Sequence, residues 1–160
     1  MEAERRGLLF ACKSLEGWAW LVTDGDRQTA SWRRLDGQPW RGGRVKAKCL
    51  PLTEAKRIIG VREALSYKWS VLVEGGPDLL AALDLWPDRG VLCALSANSD
   101  FQQQQLIAVK EAKVKVLICA HNADKGLRAG ARWERQLGGV EWFNLRGCKD
   151  LNDYVRSDYA

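Results

Sequence analysis

Residues 71–83, VLVEGGPDLLAAL, constrain the fold of this chain more tightly than any other stretch. Val71, Leu72 and Val73 form an apolar run suited to a central strand. Gly75 and Gly76 let the backbone turn sharply, and Pro77 is well placed to open a helix. Leu79, Leu80, Leu83 and Trp86 then recur at helical spacing, which gives a face to lie back on a sheet. Glu74 ends the strand and Asp78 sits in the first helical turn. Open α/β sheets keep their sites at that carboxyl edge. A pair of carboxylates there suits a hard cation or acid–base chemistry.

The same alternation continues to the end of the chain. Strands are expected over 70–74, 90–95, 114–120 and 140–145, and helices over 77–86, 100–112, 123–137 and 151–155. Strand–helix alternation implies a mostly parallel sheet flanked by helices. The first half reads differently. Residues 17–23 (GWAWLVT) and 28–35 (QTASWRRL) are strand-like and meet at Asp24-Gly25-Asp26, which is hairpin turn chemistry rather than a metal site. Residues 44–50 alternate as a further strand would, and Thr53 is placed to cap a helix running to Leu65. The expected organisation is a small, basic, β-rich subdomain over 1–66 followed by an α/β domain over 67–160.

At 160 residues the chain is long enough for a well-built core. Its net charge of +5 fits a polyanionic partner without requiring one. Arg33, Arg34, Arg41, Arg44, Lys46 and Lys48 crowd one region, and a second basic group follows Asp124. Eight tryptophans serve either packing or base stacking. The five cysteines show no CxxC spacing, so a zinc ribbon or finger is not expected. Cys93 and Cys119 lie in apolar runs and read as small core residues. The charged start is followed by an apolar run only over 8–12, unlike a signal peptide, and no run has the length of a membrane span. A reduced, cytoplasmic protein is expected.

Polar residues accumulate after each strand: Glu74 and Asp78, then Ser96, Asn98 and Ser99, then His121, Asn122 and Asp124, and last Lys149, Asp150, Asn152 and Asp153. In a parallel sheet these ends share one edge. Carboxylates with amide and hydroxyl neighbours suit Mg²⁺. The single histidine, His121, reads as a polar strand-end residue rather than a ligand or base. The chain has no GxSxG, Walker or GxGxxG motif, which argues against a serine hydrolase, a P-loop NTPase and a Rossmann dehydrogenase. In the helix after Asp124, Lys125, Arg128, Arg132 and Arg135 fall on one side and Leu127, Ala131, Trp133 and Leu137 on the other. The basic side is either a solvated face or a stripe for phosphates.

EGGPD at 74–78, NADKG at 122–126 and KDLND at 149–153 resemble the motifs of the Toprim domain, in the version found in bacterial and phage-type DNA primases. WRRLDG at 32–37, KAKCLP and RIIGVREAL are similar to the primase segment that precedes Toprim, so the resemblance covers nearly the whole chain. It implies that Glu74 is the acid–base or metal-organising glutamate, with Asp78 as its partner. Asp124 matches the second aspartate of the family's DxD pair, and Asp150 and Asp153 lie near the metal. The implied cofactor is Mg²⁺ or Mn²⁺, orienting a 3′-hydroxyl for in-line attack on a ribonucleoside triphosphate. Arg33, Arg34, Lys46 and Lys48 are implied to contact single-stranded DNA template or incoming nucleotide. A zinc-binding module and a replicative helicase are the implied protein partners. The chain departs from the pattern at Asn122, which stands in the first DxD position, and Gly126 comes one residue early.

The leading expectation is therefore a primase-type nucleotidyltransferase core. A Toprim nuclease, a non-catalytic nucleic-acid-binding module and an unrelated α/β domain with acidic helix caps are the competing readings.

Overall fold

The computed structural model describes residues 2–14, 16–24, 29–40, 49–51 and 57–157. The chain divides into two units, Ala3–Ala55 and Lys56–Ala160. The first is an antiparallel sheet of four strands in sequence order: β1 (Leu9–Ser14), β2 (Gly17–Thr23), β3 (Ala30–Arg34) and β4 (Cys49–Pro51), preceded by a helical turn, α1 (Glu2–Arg5). The hairpin expected from the sequence is β2–β3, with Leu21 opposite Trp32 and Thr23 opposite Ala30. The Thr23 hydroxyl donates to the Thr29 carbonyl at 2.8 Å, closing the pair beyond its last register position. Lys46, Lys48 and Thr53 lie outside the described residues, as does most of the strand expected over 44–50.

The second unit is a parallel sheet in the order β6 (Gly90–Cys93), β5 (Trp69–Val73), β7 (Lys115–Cys119), β8 (Glu141–Trp142). Side chains alternate across it, as strand geometry requires. Leu72, Leu92, Val116 and Ile118 point into one buried layer with Val109 of α4 (Gln103–Glu111) and Ala129, Trp133 and Leu137 of α5 (Asp124–Leu137). Val71, Val73, Val91 and Cys93 alternate with them and are fully buried. Helices α3 (Gly76–Leu85) and α6 (Leu151–Val155) pack on each other. Phe143 meets the edges of Trp86 and Tyr154 at 5.2 and 5.1 Å. Burial of these apolar layers is the main stabilising term.

Two expectations change. The helix anticipated over 53–65 is confined, among the described residues, to α2 (Val61–Ala64). Arg57 and Ile59 instead form bridges to Asp100 and Cys93, and Gly60 turns the chain at a φ of 80°. A Cβ at Gly60 would lie 2.2 Å from the Val91 carbonyl oxygen, so the backbones touch there. Ile58 and Ile59 are fully buried, and this segment therefore belongs with the second unit, whereas the sequence placed the boundary at 66/67. On α5 the buried residues are Gly126, Ala129, Gly130, Trp133 and Leu137, while Leu127 and Ala131 are exposed. The inner face thus combines Trp133 and Leu137, as expected, with the small residues Gly126, Ala129 and Gly130 in place of Leu127 and Ala131.

Candidate functional site

Glu74 leaves the end of β5, and the chain turns at Gly75 into α3. Asp78, in the first turn of α3, reaches back to accept the Gly75 N–H at 3.1 Å, as a third-position carboxylate does in a capping box. Its other oxygen accepts the Asn152 N–H at 3.2 Å, from the first turn of α6. Asp78 is thus 2% exposed and gripped by two separate segments. Asp150 caps α6, accepting the Asp153 N–H at 2.8 Å. The Asn122 N–H donates to the Lys149 carbonyl at 2.7 Å, joining the end of β7 to the same corner.

His121 fills the middle. Its Nε2 is 2.8 Å from Asp78 Oδ2, and its Nδ1 is 3.6 Å from Glu74 Oε1. Ligand atoms of Asp78, His121 and Asp150 lie within 4.8 Å of one another. The hydrogen bond to Asp78 raises the His121 pKa; burial opposes this, and the charges of Asp78, Glu74 and Asp150 add to it. Glu74 Oε2 is buried with no hydrogen-bond partner. Burial, reinforced by the Asp78 charge, pushes the Cys119 thiol up, so no thiolate joins the set. Carboxylate oxygens with an orphaned buried oxygen and an imidazole fit a divalent cation.

Gly126 explains why His121 occupies this place. A Cβ there would lie 2.4 Å from the His121 carbonyl oxygen and 3.0 Å from Glu74 Oε2. The start of α5 therefore presses directly on the end of β7 only with glycine. Aligning the motif on Asp124 puts Asn122 at the strand end; aligning it on Gly126 moves the position to His121. The early glycine was the signal in the sequence, and it points to the residue that touches both Glu74 and Asp78.

The remaining expected residues separate into groups. Asn122, Asp124, Lys125, Arg128 and Asp153 are exposed. Arg132 is turned inward: its Nε donates to Asp100 at 2.5 Å and its Nη2 to the carbonyls of Ala97 at 2.7 Å and Ser99 at 3.2 Å. It clasps the loop after β6 rather than facing solvent beside Lys125 and Arg128. In the first unit Arg33 is half-buried, and Arg34 is buried between Glu16 at 2.8 Å and Asp36 at 2.5 Å. The Arg34 hydrogen bond, with the Gln38 N–H, holds the Asp36 carboxyl at about 2.

No protein-family model and no curated protein sequence matches this chain. The solved structures show the fold: an antiparallel sheet followed by a Toprim-type parallel sheet, as in primase catalytic cores. The primase fragment of the bacteriophage T7 primase-helicase matches with a TM-score of 0.72 and 17% identity, over 99% of this chain and 65% of its own. The Aquifex aeolicus primase, comprising zinc-binding and RNA polymerase domains, matches with a TM-score of 0.60 and 20% identity, over 96% of this chain and 42% of its own. The DnaG primase catalytic domain bound to single-stranded DNA matches with a TM-score of 0.59 and 16% identity, over 98% and 54%. This chain spans less than two thirds of each of them. Among the described residues, no helix is long and apolar enough to cross a membrane.

Proposed function

We propose that this chain is the core of a primase-type, metal-dependent nucleotidyltransferase that joins ribonucleotides into short primers on single-stranded DNA. The observation that carries this reading is the convergence of Glu74, Asp78 and Asp150 around one strand-end residue, in a fold matched over both units. Glu74 and Asp150 would hold a divalent cation, Mg²⁺ or Mn²⁺, with Asn122, Asp124 and Asp153 at the exposed rim. When bound, that cation polarises phosphate oxygens and favours ionisation of the attacking hydroxyl. Asp78 positions the set through its backbone hydrogen bonds and His121. Lys125 and Arg128, exposed on α5, would contact phosphates of template or ribonucleoside triphosphate. Arg33, Lys46 and Lys48 are assigned the same class of contact in the first unit. A zinc-binding module and a helicase are the proposed partners, since similar solved primases carry them.

The test is incorporation of labelled ribonucleotides on a single-stranded template, with a zinc-binding module supplied. Glu74→Gln is expected to abolish it, and incorporation that survives this change would remove Glu74 from the site. A second reading, a nucleic-acid-binding module without catalysis, draws support from the uncharged, exposed Asn122. Salt-sensitive single-strand binding with no incorporation in any metal would favour it.

A further inference from the structure

The acidic edge differs from an all-oxygen site in one respect: an imidazole sits among its carboxylates. Asp78 accepts backbone N–H groups from Gly75 and Asn152 and faces His121 Nε2 at 2.8 Å. An ionised carboxylate only accepts hydrogen bonds, so in the neutral ring Nε2 carries the hydrogen and Nδ1 the lone pair. That lone pair lies on the Glu74 side, 3.6 Å from Oε1. Two donors each about 2.1 Å from one cation stand roughly 3.0–3.4 Å apart. The Glu74–His121 separation needs a few tenths of an ångström to meet that condition. A histidine whose far N–H is held by a carboxylate is the usual arrangement of a metal-binding imidazole.

From this we infer that His121 Nδ1 and Glu74 are direct metal ligands, and that Asp78 acts behind the imidazole rather than on the ion. A set containing nitrogen favours a first-row dication that accepts imidazole, of the Zn²⁺ or Co²⁺ class. Mg²⁺ prefers oxygen and surrenders its waters reluctantly, so it binds this set more weakly. The inference rests on reading the edge as a cation site. It refines the metal named in the proposed function, and its test reads the imidazole itself whether or not the chain extends primers.

His121 is the chain's single histidine, so its nitrogen spectrum is unambiguous. The full chain, labelled with ¹⁵N at the imidazole, is titrated with Zn²⁺ and then with a hundredfold excess of Mg²⁺. The expected result is a metal shift confined to Nδ1, with Nε2 still protonated and the signal unmoved by Mg²⁺. Zinc captured elsewhere, for example at the partly exposed Cys12 or Cys148, leaves the ring unchanged and overturns the proposal. So does a shift at Nε2, or displacement by Mg²⁺. By calorimetry, His121→Asp is expected to lower Zn²⁺ affinity at least tenfold and to raise that for Mg²⁺, and unchanged preference counts against it. Asp78→Asn is expected to weaken Zn²⁺ by about 10–100-fold.

Discussion

Asp78 and His121, 43 residues apart in sequence, meet at 2.8 Å at the carboxyl edge of the parallel sheet. The contact joins the turn after β5 to the end of β7, and Asn152 adds α6 to the same carboxylate. One buried acid therefore organises the three segments that carry the site.

Removing that acid should cost stability as well as function. Asp78→Ala leaves the Gly75 and Asn152 N–H groups and the imidazole without their acceptor. Urea denaturation is expected to show a loss of about 3 kcal/mol, the range for breaking buried hydrogen bonds to a charged group. A loss below about 1 kcal/mol would show that water replaces the carboxylate readily.

Stability should also depend on pH in one direction. The folded chain raises the His121 pKa above its ordinary 6.5, chiefly through the Asp78 hydrogen bond. The protonated ring is favoured by folding, so its contribution is fully present below about pH 6.5 and fades as pH rises through the higher folded value. In metal-free buffer the denaturation midpoint is expected to fall across that window. The slope should disappear in His121→Gln; an unchanged slope would assign it elsewhere.

Arg132 and its helical neighbours should separate cleanly. Arg132→Ala breaks the clasp on Asp100, Ala97 and Ser99, with an expected loss of about 1–3 kcal/mol in denaturation. Lys125→Ala and Arg128→Ala should leave stability nearly unchanged and each reduce the salt dependence of single-strand binding by about one counterion. Equal effects of all three on binding would contradict the inward position of Arg132.

Gly126→Ala tests the close approach of α5. The added methyl meets the His121 carbonyl oxygen at 2.4 Å and its Cβ at 2.7 Å, so helix and strand end must separate. A loss of about 1–3 kcal/mol is expected. The His121 imidazole signals should shift even without metal, and a silent spectrum would mean that the helix absorbs the change alone.

The sequence showed the parallel sheet clearly because β5, β6 and β7 are buried on both faces and read as unbroken apolar runs, VLV, VLC and VLIC. Strand β1 was less legible. LFACKS has only a short apolar start and an alternating exposure pattern that its partner β2 makes meaningful. On the inner face of α5, Trp133 and Leu137 were legible, whereas Gly126, Ala129 and Gly130 were not, because they bury backbone rather than bulk. The contacts of His121 with Asp78 and Glu74 were illegible for a related reason. They depend on the register of a glycine five residues later, and a missing side chain is a weak signal beside the conspicuous carboxylate of Asp124.

Besides the His121 imidazole, Asp78 is held by main-chain N–H groups at positions 75 and 152. The donors at the junction of the first and last motifs are therefore supplied by nineteen of the twenty amino acids; only proline lacks the hydrogen. As far as this junction is concerned, the identity of residue 152 is free to drift while the acid at 78 is not. Related chains should accordingly vary at 152 among all side chains but proline, and a proline scan, more than an alanine scan, would find the fastening points of this edge.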